Sequence, residues 1–414
     1  MKWIMGQDSI YKQRGVKDLI LDEAKNYQET VEIFLKTAEL YNFKLIETPI
    51  FEKEILFKRP LGDDSDIVTK EMYTFEDKGG DKITLRPEGT APVVRSVIEN
   101  RLYEKLPLKL CYFGPMFRYE RPQKGRYRQF HQFGAEIFSE KSPFQDVEGI
   151  LMAHDFIKSL SINPESFKLH INSLGNEDDR KRYTSLLKQY FSDYFDELSE
   201  ISRLRFNKNP LRILDSKEPE DIKLIENVPS ILDTMCQESK DYFAAVISML
   251  EQNGINYEID KCLVRGLDYY TETIFEFKST ELGSQSTFLA GGRYDNLVKL
   301  LGGPELSGFG WAAGYERVAL ISKIEGKKNK LIAVISDSAK DAFNAAKFLR
   351  EEGFCAEVFI GESFKNLLKK SLKISPDFAV FIGENERKTD TVQLKNLTTK
   401  EQIETKLEEI KNNT

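Results

Sequence analysis

The stretch FRYERPQKGRYRQFHQFGAEIF, residues 117–138, has two aromatic-rich flanks around the turn-like centre PQKGRY. Side chains of a strand alternate between its two faces, so Phe130, Gln132 and Glu136 share one face of the second flank. If the flanks pair as antiparallel strands, Arg118 of the first flank comes to lie beside that face. The stretch therefore predicts a β-hairpin that presents a ring, an amide, a carboxylate and a guanidinium on one side. A solvated sheet face would show the same alternation, so the rest of the chain decides between the two interpretations.

Sequence on either side of the hairpin predicts an α+β fold. Residues 21–41 place apolar side chains at steps of three and four, which is typical of an amphipathic helix. Strand-like runs rich in aromatic and β-branched residues lie at DKITLRP and LKLCYFGPMFRYE. Pro49, in the run FKLIETPIF, cannot donate a ladder hydrogen bond, so it indicates a sheet edge, a bend or an interface.

The chain of 414 residues is long enough for roughly three domains. Residues 1–165 and 258–322 read as two parts of one domain, because β-like and glycine-rich sequence resumes in the second part. Residues 166–257 are charged and helix-forming, which predicts a helical insertion. After a polar linker, residues 329–414 alternate strand and helix patterns, which predicts a separate α/β domain with a mainly parallel sheet and a final helix.

Composition and charge exclude several classes of protein. Hydrophobic residues make up 40% of the chain and charged residues 31%, as in globular proteins. The longest apolar runs are too short to span a bilayer and the start lacks a signal-peptide core, so we expect a cytoplasmic protein. The four cysteines form no C-x-x-C pair, which disfavours a zinc site. The net charge of −7 argues against indiscriminate nucleic-acid binding, but residues 117–131 carry a local excess of arginine and lysine.

Several stretches together resemble one family of enzymes. YNFKLIETPIFE, the hairpin stretch and GFGWAAGYERVAL resemble motifs 1, 2 and 3 of the class II aminoacyl-tRNA synthetases. TLRPEGTAPVVR, LVRGLDYYTETIFEF and GGRYDNL resemble segments particular to the histidyl-tRNA synthetase family. The resemblance covers essentially the whole chain. It implies the class II antiparallel sheet flanked by helices, an all-α insertion and a C-terminal α/β anticodon-binding domain.

The resemblance also implies a reaction and its partners. ATP and L-histidine would form histidyl-adenylate and pyrophosphate, and the histidyl group would then pass to the 3′ end of tRNA(His). Mg²⁺ is expected with ATP, although no ligands for it can be named from the sequence. The motif 1 proline lies at the dimer interface in this class, so a homodimer without membrane attachment is expected.

Site residues follow from the same resemblance. Arg118 and Arg265 are the implied catalytic residues at the α-phosphate. The implied histidine-binding residues are Glu88, Gly89, Thr90, Arg118, Gln132, Glu136, Arg265, Tyr269 and Tyr270. The implied ATP-binding residues are Arg118, Glu120, Arg126, Phe130 and Arg317. Gln123, at the centre of the hairpin stretch, is implied to contact the acceptor end of the tRNA.

Two local features remain open. Adjacent strand residues point to opposite faces, so Tyr269 and Tyr270 both face the site only if a turn or bulge lies near GLDYY. Otherwise one tyrosine alone contacts histidine. The stretch GGRYDNL fits an ordinary strand-to-helix turn as well as a place near the substrate.

Two other functions are weighed against this one. The first is the non-catalytic, histidine-binding paralogue that serves as regulatory subunit of ATP phosphoribosyltransferase. That paralogue typically lacks the C-terminal domain and parts of RGLDYY, both of which are present here. The second is a class II synthetase for threonine or proline, which RGLDYY and GGRYD disfavour.

Overall fold

The computed structural model describes residues 10–61, 67–283, 286–324 and 329–414. The chain divides into two compact units, with the division between residues 325 and 326. Each unit has its own hydrophobic core. Within the described residues, no helix combines the length and the apolar character that crossing a membrane requires.

The elements of the first unit alternate between helices and strands. Its α-helices are α1 Asp22–Leu40, α2 Ile55–Leu61, α3 Thr90–Glu99, α4 Pro143–Ser159, α5 Glu177–Ser192, α6 Glu200–Lys208, α7 Pro219–Ile225, α8 Ile231–Thr234, α9 Gln237–Gln252, α10 Leu297–Leu300 and α11 Tyr315–Val318. Its strands are β1 Lys44–Leu45, β2 Phe51–Lys53, β3 Tyr73–Glu76, β4 Lys82–Leu85, β5 Leu108–Phe117, β6 Gln129–Ser139, β7 Phe167–Ser173, β8 Tyr257–Ile259, β9 Thr271–Ser279, β10 Thr287–Arg293 and β11 Ser307–Gly314.

An eight-stranded sheet with the order β1-β5-β6-β11-β10-β9-β7-β8 forms the centre of this unit. Neighbours from β5 to β7 pair antiparallel, whereas the edge strands β1 and β8 pair parallel. In the β5–β6 hairpin, Met116 pairs with Phe130 and Gly114 with Gln132. The predicted antiparallel hairpin is confirmed. A smaller sheet, β2-β4-β3, contains the predicted strand at DKITLRP.

The two faces of the large sheet differ in their packing. On one face, Phe34 of α1 and Phe156 of α4 pack on Phe133 of β6, with ring centroids 5.0 and 5.6 Å from the Phe133 ring. Complete burial of each ring stabilises the fold by about 1.5–3 kcal/mol and fixes α1 and α4 on this side. On the other face, valines of α3 pack beside Tyr112 and Met116 of β5. This second face also carries Gln132 and Glu136, so it is the side on which a site can form.

A helical segment, residues 177–252, connects β7 and β8. Its first helix begins at a capping box in which Asn176 and Asp179 satisfy each other's backbone N–H groups. The predicted start of the insertion at residue 166 is wrong, because Phe167–Ser173 form β7 and pair with β9 in the large sheet. The alternating pattern of FKLHINS is that of a strand, but the charged, helix-forming sequence that follows obscured it.

The second unit is a five-stranded sheet with helices. Its elements are β12 Leu331–Ser336, α12 Ala339–Glu351, β13 Cys355–Ile360, α13 Phe364–Ser371, β14 Phe378–Ile382, α14 Glu384–Thr389, β15 Val392–Asn396 and β16 Gln402–Thr405. Strands β13, β12 and β14 are parallel, but β14, β15 and β16 are antiparallel. The prediction of a mainly parallel sheet followed by a final helix is therefore wrong for the last two strands. The side-chain oxygen of Asn396 accepts hydrogen bonds from the N–H groups of Thr398 and Thr399, which forms a tight turn between the two strands. Both strands are short, and only Val392 and Leu394 of β15 show an apolar alternation.

Candidate active site

A cavity of about 180 Å³ opens on the second face of the large sheet. The predicted site residues that line it are Glu88, Thr90, Arg118, Gln132, Arg265, Tyr269 and Tyr270. Further lining residues are Leu267, Thr287, Phe288, Leu289, Ala290, Trp311 and Ala312. Gly89 and Glu136, also predicted, are not among the described residues of the lining. The structure therefore brings together groups from the hairpin, from RPEGT and from RGLDYY, although they are far apart in sequence.

Small residues of the central strands make room for this site. Gly310 of β11 pairs with Glu136, and Ala312 pairs with Gly134 of β6. A Cβ atom on Gly310 would lie 1.7 Å from Glu136 Oε2, and one on Gly134 would lie 2.1 Å from Tyr112 Cζ. No real Cβ atom approaches another atom so closely, so these glycines are required by packing and not by backbone torsion.

Glu136 is a fully buried carboxyl group behind the cavity lining. Thr90 Oγ1 donates a hydrogen bond to it at 2.7 Å, and the Tyr294 hydroxyl donates a second. Burial raises the pKa of Glu136 to about 8, even though both hydroxyls lower it; the nearby Glu88 carboxyl raises it further. The group is thus held in place by two donors in surroundings that disfavour its charge.

Glu88 is also buried, at the beginning of α3. Its two oxygens accept hydrogen bonds from the backbone N–H groups of Thr90 at 2.7 Å and Ala91 at 2.9 Å. Burial raises the pKa of Glu88, and the two N–H groups oppose that rise. Each carboxylate oxygen accepts more than one hydrogen bond, so Glu88 keeps acceptor capacity toward the cavity that it lines.

Arg118 and Arg265 are both part of the cavity wall. Arg118 Nε donates to the Pro87 carbonyl oxygen at 2.8 Å, and the guanidinium carbon lies 5.4 Å from the centre of the Phe130 ring. Arg265 forms an ion pair with Glu276, whose other oxygen accepts from Thr287 Oγ1 at 2.7 Å. Both guanidinium groups are therefore fixed by partners before any substrate is present.

The predicted ATP-binding residues lie together next to the hairpin. Arg126 Nη1 is 3.1 Å from Glu120 Oε2, and Phe130 contacts Arg118. Burial lowers the pKa of Arg317, and the nearby Arg126 guanidinium lowers it further. Arg317 is in α11, directly after β11, as predicted from the glycine-rich sequence before it. We refer to Arg118, Arg126 and Arg317 as the basic surface next to the hairpin; the effect of Arg126 on the pKa of Arg317 places these two side chains near each other.

Gln123 is at the tip of the hairpin. Its backbone N–H donates to the Arg126 carbonyl at 3.2 Å, and the Arg126 N–H donates back to the Gln123 carbonyl at 2.9 Å. This bridge closes the turn PQKGRY. The structure thus separates Gln123, at the tip, from Gln132, which lines the cavity further along the hairpin.

A turn at residues 265–270 answers the question of the paired tyrosines. These residues lie outside the helices and strands, between β8 and β9. Tyr269 and Tyr270 are both buried, their ring centroids are 4.8 Å apart, and both line the cavity. The predicted turn is present, so the alternation rule of strands does not separate the two rings.

Sequence reasoning missed Tyr294 and Tyr112. The glycines of GGRYDNL lie inside β10 and not in a turn; Gly292 has φ +156°, and a Cβ atom there would lie 2.5 Å from the Thr273 carbonyl oxygen. Residues 294–296 lead from β10 into α10, as the strand-to-helix interpretation of GGRYDNL predicts. Tyr294, at the start of this turn, also binds Glu136. Tyr112 packs under Gly89 and Gly134. Its sequence signal is only that of a buried strand aromatic.

The described residues offer no ready site for a metal ion. No group of three or more His, Cys, Asp or Glu side chains among them could hold one. Glu316, the carboxylate of motif 3, accepts hydrogen bonds from the His131 backbone N–H and from His131 Nδ1, all at 3.0 Å. His131 is on the face of β6 opposite Gln132, so Glu316 is directed away from the cavity.

Comparison with known proteins identifies the family. The sequence model described as histidyl-tRNA synthetase matches residues 15–318, and that of an anticodon-binding domain matches residues 329–413. The chain belongs to the histidyl-tRNA synthetase family. It is 44% identical over 416 residues to a histidine–tRNA ligase of Streptococcus pneumoniae strain Taiwan19F-14, covering 98% of this chain and 96% of that protein.

Solved structures agree with this assignment. The apo histidyl-tRNA synthetase of S. aureus superimposes with a TM-score of 0.80 at 33% identity, covering 98% of this chain and 99% of that one. The histidyl-tRNA synthetase of Nostoc sp. PCC 7120, with a TM-score of 0.72 at 18% identity over 98% and 99% of the two chains, supports the fold alone. The predicted class II fold and activity are confirmed. The enzyme is a histidine–tRNA ligase, and its substrates are histidine, ATP and tRNA.

Proposed function

We propose that histidine and ATP react in the cavity whose wall contains Arg118 and Arg265. A carboxylate oxygen of histidine attacks the α-phosphorus, the bond from that phosphorus to the bridging oxygen breaks, and pyrophosphate leaves. A ribose hydroxyl of the tRNA then attacks the carbonyl carbon of histidyl-adenylate, and AMP leaves. The observation that carries the proposal is the presence of both arginines, already fixed by Pro87 and Glu276, in one cavity wall.

The two arginines fit the needs of phosphoryl transfer. Negative charge spreads over the phosphate oxygens during the reaction, so positioning and electrostatic stabilisation provide most of the acceleration. A guanidinium stays charged at every physiological pH and donates paired hydrogen bonds that match phosphate oxygens. Because Arg118 and Arg265 are positioned in advance, little reorganisation is needed when the transition state forms.

Glu136 and Tyr270 are the proposed imidazole-binding pair. Rejecting other amino acids requires polar groups that would remain unpaired with the wrong side chain, which costs about 1–3 kcal/mol for each group. Glu136 is held in place behind the cavity lining by Thr90 and Tyr294, and it would accept an imidazole N–H once it has lost its own proton. Tyr270 provides a hydroxyl and a ring in the lining, and Tyr269 packs against that ring.

Glu88, Gly89, Thr90 and Gln132 are proposed to hold the amino and carboxylate ends of histidine. Gln132 supports this role because its Oε1 is buried and has no hydrogen-bond partner among the described residues. A buried polar atom is rarely left without a partner in a folded protein. The carboxylate of Glu88 complements the ammonium group, and Gly89 allows the chain to turn into α3 beside the Tyr112 ring.

ATP is proposed to lie on the basic surface next to the hairpin. Phe130 would stack on adenine, Glu120 would accept from its amino group, and Arg126 and Arg317 would contact the outer phosphates. Gln123 at the hairpin tip would meet the acceptor end of tRNA(His). Mg²⁺ is expected to arrive with ATP; because the described residues form no carboxylate cluster, its ligands would come mainly from phosphate and water, and no step here depends on it.

Dimer formation is proposed through the region of Pro49. Leu45, Ile50, Phe51 and Ile55 are between 44% and 58% exposed, which is a dense group of apolar side chains for a protein surface. A second copy of the chain would cover them. We also propose a cytoplasmic location, where charged tRNA is used, and a discontinuous catalytic domain whose first part continues past the predicted residue 165 to include β7.

Pyrophosphate exchange and tRNA charging test the proposal. Exchange should depend on histidine and should not occur with threonine or proline. Arg118→Ala should lower the exchange rate on the order of 100-fold or more while the fold is retained. Arg387→Ala, which removes an exposed arginine of the second unit paired with Asp337, should leave exchange unchanged. Full activity in Arg118→Ala would contradict the assignment, and a chain that binds histidine without any exchange would be the regulatory paralogue.

A further inference from the structure

The turn of residues 265–270 carries three proposed substrate contacts: Arg265, Tyr269 and Tyr270. We refer to it as the substrate turn. It lies outside the helices and strands, so the hydrogen-bond ladder of the sheet does not hold it. Its shape therefore depends on side chains that reach it from elsewhere.

Arg180 of α5, in the helical segment, binds the main chain of the substrate turn. Its Nη1 donates to the carbonyl oxygen of Asp268 at 2.6 Å and is 3.4 Å from the carbonyl oxygen of Tyr270. Its Nη2 lies 3.6 Å from Asp268 Oδ1. Arg180 thus contacts the residue next to the tyrosine pair and one member of that pair.

The end of α6 and the residues after it supply the second group of contacts. Asn209 Nδ2 donates to Asp268 Oδ1 at 3.1 Å. Arg212 Nη2 lies 3.5 Å from Asp268 Oδ2 and 3.4 Å from the Gly266 carbonyl oxygen. Two arginines and an amide from separate parts of the helical segment therefore converge on one carboxylate.

The start of β9, directly after the substrate turn, is also tied to the beginning of the helical segment. Glu272 has φ 46°, an unfavourable conformation for a residue other than glycine. Its N–H donates to the Gly175 carbonyl at 2.9 Å, and its carbonyl accepts from the Leu174 N–H at 2.8 Å. The strained backbone beside Tyr270 is thus held by the residues that lead directly into α5.

We infer that Asp268 is a positioning residue, through which the helical segment holds Arg265, Tyr269 and Tyr270 in the geometry that binds histidine. This inference rests on the proposed histidine-binding roles of the substrate turn. It gives the helical segment a function in amino-acid binding. Asp268 itself does not line the cavity among the described residues, so its substitution acts through the turn.

Asp268→Ala tests the inference. We expect the KM for histidine in pyrophosphate exchange to rise about tenfold, the effect of losing about 1.4 kcal/mol of ordering, while the KM for ATP changes by less than about threefold. Backbone amides of residues 264–270 should exchange hydrogen faster. Asp268→Asn keeps an oxygen for Asn209 but loses the charge, so its effect should be intermediate. The double variant Arg180→Ala/Asp268→Ala should raise the KM for histidine by less than the product of the two single increases, because the two residues act as one unit.

Lys181→Ala is the matched control. Lys181 is next to Arg180 on α5, but its partners are Glu177 and Asp178 of the same helix, so the KM for histidine should not change. Equal rises in both KM values with a lower melting temperature would show a merely structural role and overturn the inference. Tyr270→Phe separates this inference from the proposed function. If Tyr270→Phe raises the KM for histidine but Asp268→Ala does not, positioning by Asp268 is overturned and the proposed histidine-binding role of Tyr270 is retained.

Discussion

Burial in the site changes the pKa of individual side chains. Glu136 is the clearest case, because burial raises its pKa to about 8 and the hydroxyls of Thr90 and Tyr294 only partly oppose this rise. At neutral pH the free enzyme therefore holds a proton on Glu136. An imidazole N–H donated to Glu136 would favour the charged carboxylate and lower its pKa. Histidine binding and loss of that proton are then linked.

This linkage predicts proton release on histidine binding. At pH 7, one unit below the pKa of Glu136, binding should release about one proton from this group, and near pH 9 almost none. Affinity should accordingly rise as the pH increases from 7 toward 8. Calorimetry in buffers of different ionisation enthalpy measures the released protons.

Glu136→Gln is the comparison for this measurement, since glutamine has nearly the same shape and cannot titrate, although only its oxygen can accept a hydrogen bond from Thr90 or Tyr294. Its proton release at pH 7 should be lower than that of the wild-type enzyme by about one proton. Glu136→Ala should raise the KM for histidine more than that for ATP. Equal proton release in the wild-type and Glu136→Gln enzymes would rule out the linkage.

The raised pKa of Glu136 also affects folding stability. An unfolded glutamate titrates near pH 4.5, whereas Glu136 in the folded enzyme titrates near pH 8. Between these values the folded state binds more protons than the unfolded state, so stability decreases as the pH rises through this window. The melting temperature of the wild-type enzyme should therefore fall more between pH 6 and pH 8 than that of Glu136→Gln, in which this contribution is absent. Thermal unfolding of both proteins at the two pH values measures the difference.

At the scale of elements, small residues of the central strands leave room for the larger polar side chains of their neighbours, Glu136 of β6 and Tyr112 of β5. Gly310 and Gly314 lie on the same face of β11, but their surroundings differ. A Cβ atom on Gly310 would meet Glu136 Oε2 at 1.7 Å and the Ala135 carbonyl oxygen at 2.8 Å. The nearest atom to a Cβ on Gly314 would be Arg317 Cδ at 3.8 Å, an ordinary contact.

Gly310→Ala should therefore displace Glu136 and damage histidine binding. Overpacking of this kind costs about 1–3 kcal/mol, and we expect the KM for histidine to rise about tenfold with a lower melting temperature. Gly314→Ala is the control on the same strand and face, and its KM for histidine should match that of the wild type. Histidine-dependent exchange kinetics of the two variants would decide. Equal KM values in both variants would mean that Gly310 does not protect the position of Glu136.

The sequence predicts the pairing of neighbouring strands well, but it does not predict which side chains meet when they are far apart in the chain. The β5–β6 hairpin follows from alternation and a short turn, and this is enough to place Phe130, Gln132 and Arg118 on one side. The partner of Arg265 is Glu276, which sits in a strand with no pattern that points to an arginine. Asp268 has no signal of its own, since its partners come from the helical segment. Strands β15 and β16 are also missed, because the alternation of Val392 and Leu394 in β15 spans only three residues and β16 buries only Thr405.

At the scale of the whole molecule, chemistry and RNA recognition are divided between two units with separate cores. Every residue that lines the cavity belongs to the first unit, and the anticodon-binding domain match, residues 329–413, belongs to the second. If the proposed site is right, histidine activation needs only residues of the first unit. We expect selection of tRNA to use both the proposed contact at Gln123 on the hairpin tip and the second unit, which matches an anticodon-binding domain.

A chain ended after residue 324 should separate these tasks. Its own core should keep the first unit folded, so histidine-dependent pyrophosphate exchange should persist. Charging of full-length tRNA should fall on the order of 100-fold in kcat/KM, which corresponds to about 2.7 kcal/mol of lost contacts. A minihelix that contains only the acceptor stem of tRNA(His) is the matched substrate: because it has no anticodon, the shortened and complete chains should charge it equally. Equal charging of full-length tRNA by both chains would instead place tRNA selection entirely in the first unit, with the basic hairpin as its main determinant.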